Sequence, residues 1–150
     1  MVMIDIIKEL EINPIILSIF SSSYYNESIT ELMKNLKEKR VCYVTLNKTT
    51  DSLMKRFKSE RIKTDKIFFI DAISSTIDPA EKYDNSILIS SPYALTEISI
   101  AITEALKSKA FDILVFDSLS SLNMYNYAPN TAGQFTSFII NKIKSKKNMG

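Results

Sequence analysis

An α/β fold, a three-layer sandwich built on a mainly parallel sheet, is what this sequence predicts. Three observations carry that expectation. Runs rich in β-branched and aromatic residues (Ile15–Phe20, Val41–Leu46, Lys66–Ile70, Phe111–Phe116) alternate with stretches of helical spacing, the mark of successive βαβ units. The run ILVF at Ile113–Phe116 is continuous rather than alternating, which reads as a strand buried on both faces. At 150 residues and 45% hydrophobic, the chain can bury one ordinary core, so residues 1–150 are expected to form a single domain.

In chain order, Ile4 to Ile12 has helical spacing, and Asn13-Pro14 stops it before the first expected strand, Ile15–Phe20. A polar turn, Ser21–Asn26, leads into a helix with Ile29, Leu32, Met33 and Leu36 on its apolar face. Val41–Leu46 (VCYVTL) is the second strand. Thr49 or Thr50 then caps a helix that buries Leu53, Met54 and Phe57. Lys66–Ile70 is a third strand ending at Asp71, and Ser74–Ser86 reads as a polar surface loop. A short apolar piece, Ser86–Ser90, is closed by Pro92. Leu95–Lys107 is a helix with Ile98, Ala101, Ile102, Ala105 and Leu106 on one face. Phe111–Phe116 is the most apolar strand and ends at Asp117. Thr131–Lys146 is a last helix showing Phe135, Phe138, Ile139 and Ile143. No strand follows it, and the reading leans to a fold whose last strands are missing.

Composition narrows the function. The balance of 19 basic against 17 acidic residues gives +2, which argues neither for nor against nucleic acid. Lys142, Lys144, Lys146 and Lys147 interleave with Phe138, Ile139 and Ile143, as on the wet face of an amphipathic helix. With no histidine, Ser-His-Asp and Cys-His catalysis are excluded, as are most zinc sites. No apolar run approaches a membrane span, the N-terminal MVMIDIIKEL carries acids where a signal peptide wants bases, and the lone Cys42 reads as a small core residue in a reducing, cytoplasmic protein.

A strand, a polar turn and a helix at Ile15–Leu36 are the frame of a phosphate-binding P-loop, G-x-x-x-x-G-K-[ST]. Laid on it, the turn reads Ser21, Ser22, Ser23, Tyr24, Tyr25, Asn26, Glu27, Ser28. Ser21 and Asn26 stand at the glycines, Glu27 at the lysine and Ser28 at the hydroxyl. A backbone wrapping a pyrophosphate needs glycines, and this chain has only Gly133 and Gly150. Glutamate for lysine turns attraction for a polyphosphate into repulsion, while favouring the positive end of the helix that follows. Ser21–Ser23 and Asn26 are expected to cap that helix, and Tyr24 and Tyr25 to fill the vacant pocket.

The order of these pieces, with TDKIFFID at Thr64–Asp71 and Asp117-Ser118-Leu119 after a hydrophobic strand, resembles the RecA-like ATPases of the KaiC type, archaeal and bacterial. The resemblance runs from about residue 13 to 147 and implies a RecA-like P-loop NTPase fold. It places Ser28 and Asp117 on the Mg²⁺ side of a bound nucleotide. The family's catalytic glutamate pair is replaced by Asn47 and Lys48. What it implies is a pseudo-ATPase: a regulatory or scaffolding protein in signalling or motility machinery, with no cofactor. It would work through contacts with another protein, such as an active paralogue, as a homodimer or hetero-oligomer. Met124, Tyr125 and Tyr127, after Asp117, form the expected partner loop, since Tyr and Met favour interfaces. Two other readings stand beside it. One is a nucleotide- or anion-binding domain keeping ATP and Mg²⁺ without hydrolysis. The other is a receiver-like domain with Asp71 or Asp117 as phosphoacceptor.

Overall fold

The computed structural model describes residues 5–78, 83–125 and 127–148. Its sheet has four strands, β1 (Val41–Thr45), β2 (Ile67–Asp71), β3 (Ser86–Leu88) and β4 (Ile113–Asp117). Neighbours all run parallel, in the order β3-β2-β1-β4. Parallel strands need crossovers laid over the faces of the sheet, and helices cover both. On one face Val41 and Tyr43 of β1 meet Ile29 and Met33 of α2 (Tyr25–Asn35) and Leu53 and Phe57 of α3 (Thr50–Ser59). On the other, Cys42 and Val44 meet Ile98 and Ile102 of α5 (Leu95–Lys107) and Phe135 and Ile139 of α6 (Thr131–Asn148). Each strand residue serves the face that the period of two assigns it, and three layers result.

The sequence places most of these elements well. The first helix, α1, is Ile6–Ile12, and α5 has the predicted bounds. Thr49 is the N-cap of α3, accepting from the Ser52 N–H at 3.1 Å. Thr49→Ala is expected to cost about 1 kcal/mol, read as a lowered urea midpoint with unchanged slope. Lys142 and Lys144 of α6 are exposed, as expected; the side chains of Lys146 and Lys147 lie outside the described residues.

Three expectations are corrected. Ile15–Phe20 is not a strand but an irregular segment with Leu17 70% and Ile19 88% exposed. A strand exists only through a ladder partner, and among the described residues this segment has none. Ile15 and Phe20 are half-buried at its two ends, Phe20 edge-on to Tyr25 at 6.3 Å between ring centroids. Next, Ile113–Phe116 is half-buried instead of fully buried, because β4 is one of the two edge strands of the described sheet. Finally, the loop from Ser74 opens with a short helix, α4 (Ser74–Ile77), and closes on β3; residues 79–82 lie outside the described residues.

Candidate functional site

The carboxyl ends of β1, β2 and β4 set Thr45, Asp71 and Asp117 side by side in register. Open α/β sheets bind ligands along this rim, so what each group is doing there decides what the rim can do. Asp71 is fully buried and has both oxygens engaged. Oδ1 accepts from the Ile73 and Ser74 amides at 2.8 and 2.9 Å, and Oδ2 accepts from the Thr50 amide at 2.8 Å, the Thr50 hydroxyl at 2.7 Å and the Ser74 hydroxyl. It therefore ties the starts of α3 and α4 to the end of β2. Thr45 turns likewise to the loop behind it, donating to the Lys48 carbonyl at 2.7 Å and accepting from its amide at 3.1 Å.

Asp117 differs. It is 2% exposed, Oδ2 accepts from the Tyr43 hydroxyl, and Oδ1 is buried with no partner. Burial pushes its carboxyl up to about 7 and, by the same desolvation, pushes the Tyr43 hydroxyl upward. The Asp117–Ser118 peptide is cis, and Ser118 caps the 3-10 turn that follows, Leu119–Met124. Tyr43, read from sequence only as a strand residue, is the partner that reasoning along the chain did not find.

The Ser21–Ser28 segment is tighter than a cradle. A 3-10 turn at Ser22–Tyr24 runs straight into α2, so Tyr25 and Asn26 already belong to the helix. Against the expectation, Ser21 makes no side-chain cap and Asn26 lies inside the helix; Tyr24, at the N-cap position of α2, makes no side-chain cap either. Tyr24 points outward, 67% exposed, whereas the half-buried Tyr25 turns in with its hydroxyl unpartnered. Glu27 is exposed in the first turn of α2, and Ser28 is buried beneath it. Asn47 is exposed. Lys48 instead reaches back, donating to Asn26 Oδ1 and lying 5.3 Å from the Tyr25 ring centroid. Desolvation and then the nearby Arg56 charge lower its pKa. Arg56 itself donates to Thr30 Oγ1 at 3.2 Å. A cation thus does stand at the first turn of α2, supplied by the loop after β1 rather than by the helix itself.

Beyond Asp117, Met124 is 77% exposed, but Tyr125 and Tyr127 are fastened inward. Their hydroxyls donate to the carbonyls of Leu46 at 2.8 Å and Pro92 at 2.7 Å. With Tyr93, 57% exposed, they form a three-ring cluster with centroids 5.2 to 6.1 Å apart. The loop presents Met124 outward, beside the exposed Tyr93 from the segment before α5, while Tyr125 and Tyr127 brace the rim.

Mg²⁺ takes near-octahedral oxygen ligands, usually one or two carboxylates together with substrate phosphates. Ser28 and Asp117 fit this poorly, because one Asp117 oxygen is held by Tyr43 and burial pushes the carboxyl up to about 7, well above the ordinary carboxylate range. Among the described residues no cluster of three or more Cys, Asp or Glu is placed to hold a metal. No described helix is long and apolar enough to cross a membrane. Fold and rim together define an α/β protein with an all-parallel sheet covered by helices on both faces. Comparison with protein-family models, curated proteins and solved structures finds no match for the chain.

Proposed function

We propose that this chain is a non-catalytic domain of RecA/KaiC-like architecture. It acts in the cytoplasm as a regulatory or scaffolding protein through contacts with another protein, such as an active RecA/KaiC-like relative, and uses neither ATP nor Mg²⁺. One observation carries the reading. A phosphate cradle is a concavity of successive backbone N–H groups that alternates right- and left-handed residues. Here Ser21 is extended, Tyr24 has φ −114° and ψ 11°, and Tyr25 is already helical. The described non-glycine residues with positive φ are Arg61, Lys109 and Asn130, all far along the chain from this turn. The backbone of the turn closes into the helix and leaves no concavity for a phosphate.

A second reading, an anion- or nucleotide-binding domain, draws on Lys48, whose ammonium stands at the first turn of α2. Isothermal titration with ATP–Mg²⁺ separates the two. No heat is expected from the wild type, and none from Glu27→Lys, because restoring the charge does not restore the cradle. Micromolar binding by the wild type that disappears in Lys48→Ala would establish the second reading and overturn the first.

A further inference from the structure

We infer that the outer flank of β4 is a contact surface for a second copy of this chain, whose Ile15–Phe20 segment docks there as a strand. The first observation is the edge itself. The amides of Asp112 and Ile113 both bond the Arg40 carbonyl, and the Asp117 carbonyl accepts from the Leu46 amide, so these groups all face the β1 side. On the other side β4 has no neighbouring strand among the described residues. An unpaired edge offers main-chain donors and acceptors to another extended segment.

The second observation is the space beside it. A groove of about 480 Å³ runs along the start of β4, walled by Leu10, Pro14, Leu106 and Ile143. Its one charged group, Asp112, is already matched: Arg40 Nε and Nη2 reach its two oxygens at 3.2 and 2.9 Å, and the Arg40 amide adds a bond at 2.9 Å. No charge is left over for a polar ligand. The groove asks for apolar side chains on an extended backbone.

The third observation is that this chain displays such a segment unused. Ile15–Phe20 is apolar but for Ser18, carries three isoleucines, lacks a ladder partner among the described residues, and leaves Leu17 70% and Ile19 88% exposed, with Ile12 of α1 72% exposed close by in sequence. It leaves the groove wall at Pro14 and is held again where Phe20 packs on Tyr25. Between those points it does not fill its own groove. Large apolar side chains left exposed on an unpaired segment are a liability on a monomer. A twofold pairing of each segment with the other copy's groove uses both halves and covers the β4 edge in each copy. A net charge of only +2 offers little self-repulsion against it.

Sedimentation velocity of the full chain over a range of concentrations tests this, with amide hydrogen exchange alongside. The wild type is expected to dimerise, with slowed exchange at Ile16–Ile19 and at Leu114 and Phe116, whose amides alternate away from β1, as the dimer forms. Leu17→Lys and Ile19→Lys, both at exposed positions, are expected to keep the far-ultraviolet dichroism and weaken dimerisation at least about 100-fold. A wild type that stays monomeric overturns the inference. If those amides are then protected, the segment closes its own groove; if they are not, the flank awaits a different protein. A dimer that both lysine variants leave intact also overturns it, since the contact then lies elsewhere. These outcomes are independent of the nucleotide titration.

Discussion

Asp71→Ala is expected to be among the most damaging single changes on the rim, costing about 3–5 kcal/mol. Five donors converge on this carboxylate, and three are backbone amides, of Thr50, Ile73 and Ser74, that cannot rotate away to another acceptor. Each buried donor left unmade costs about 1–3 kcal/mol. The hydroxyls of Thr50 and Ser74 can turn elsewhere, so the amides set the magnitude. In a chain of this size the loss corresponds to a fall in Tm of about 10 °C or more. Asp71→Asn, which keeps one acceptor and points an amide donor at the other donors, should fall between the two. Thermal unfolding of the three proteins checks the order; an alanine variant within about 1 kcal/mol of wild type would show that these bonds do not anchor α3 and α4. The same saturation argues against Asp71 as a phosphoacceptor: a carboxylate with both oxygens engaged and no exposed surface offers no lone pair to an incoming phosphoryl group.

What the sequence made legible follows how local each signal is. The helices α2, α3, α5 and α6 announce themselves through apolar residues at helical spacing, and Thr49 through its place just before such a run. Strands β1 and β2 are legible because a central parallel strand must be apolar on both faces. Ile15–Phe20 carries the same composition without the same structure, since its fate depends on a ladder partner rather than on its own residues. Within the candidate site, the loss of glycine and lysine from the turn could be read directly. The Lys48–Asn26 contact could not, because it joins residues 22 apart through the packing of α2 against the loop after β1. The inward turn of Tyr125 and Tyr127 was equally hidden: their acceptors, Leu46 and Pro92, are 79 and 35 residues away. Composition marks a tyrosine as suited to an interface; only the fold says which end of it faces out.

Asp117 gives the second large effect, and it is a pH dependence. Burial raises its carboxyl from an ordinary 3.8 to about 7, so the folded state binds a proton that the unfolded state has released. Between those values the native form holds more protons than the unfolded form, and stability falls as pH rises. The contribution is fully present below about pH 4 and lost as pH passes about 7. It changes by at most about 1.4 kcal/mol per pH unit, on the order of 4 kcal/mol across the window. Asp117→Asn removes the titration while keeping an oxygen for the Tyr43 hydroxyl. Relative to wild type, the variant should therefore gain about 2–4 kcal/mol between pH 4 and pH 8. Its new amide donor, taking the place of an oxygen that has no partner, sets a constant cost that does not change with pH. Urea unfolding of both proteins across that range measures the difference, other titrating groups cancelling in the comparison. Parallel profiles would mean that the carboxylate stays ionised in the fold. The rim would then keep a buried negative charge at the end of β4 throughout that range, a partner for a cation beside Asp117.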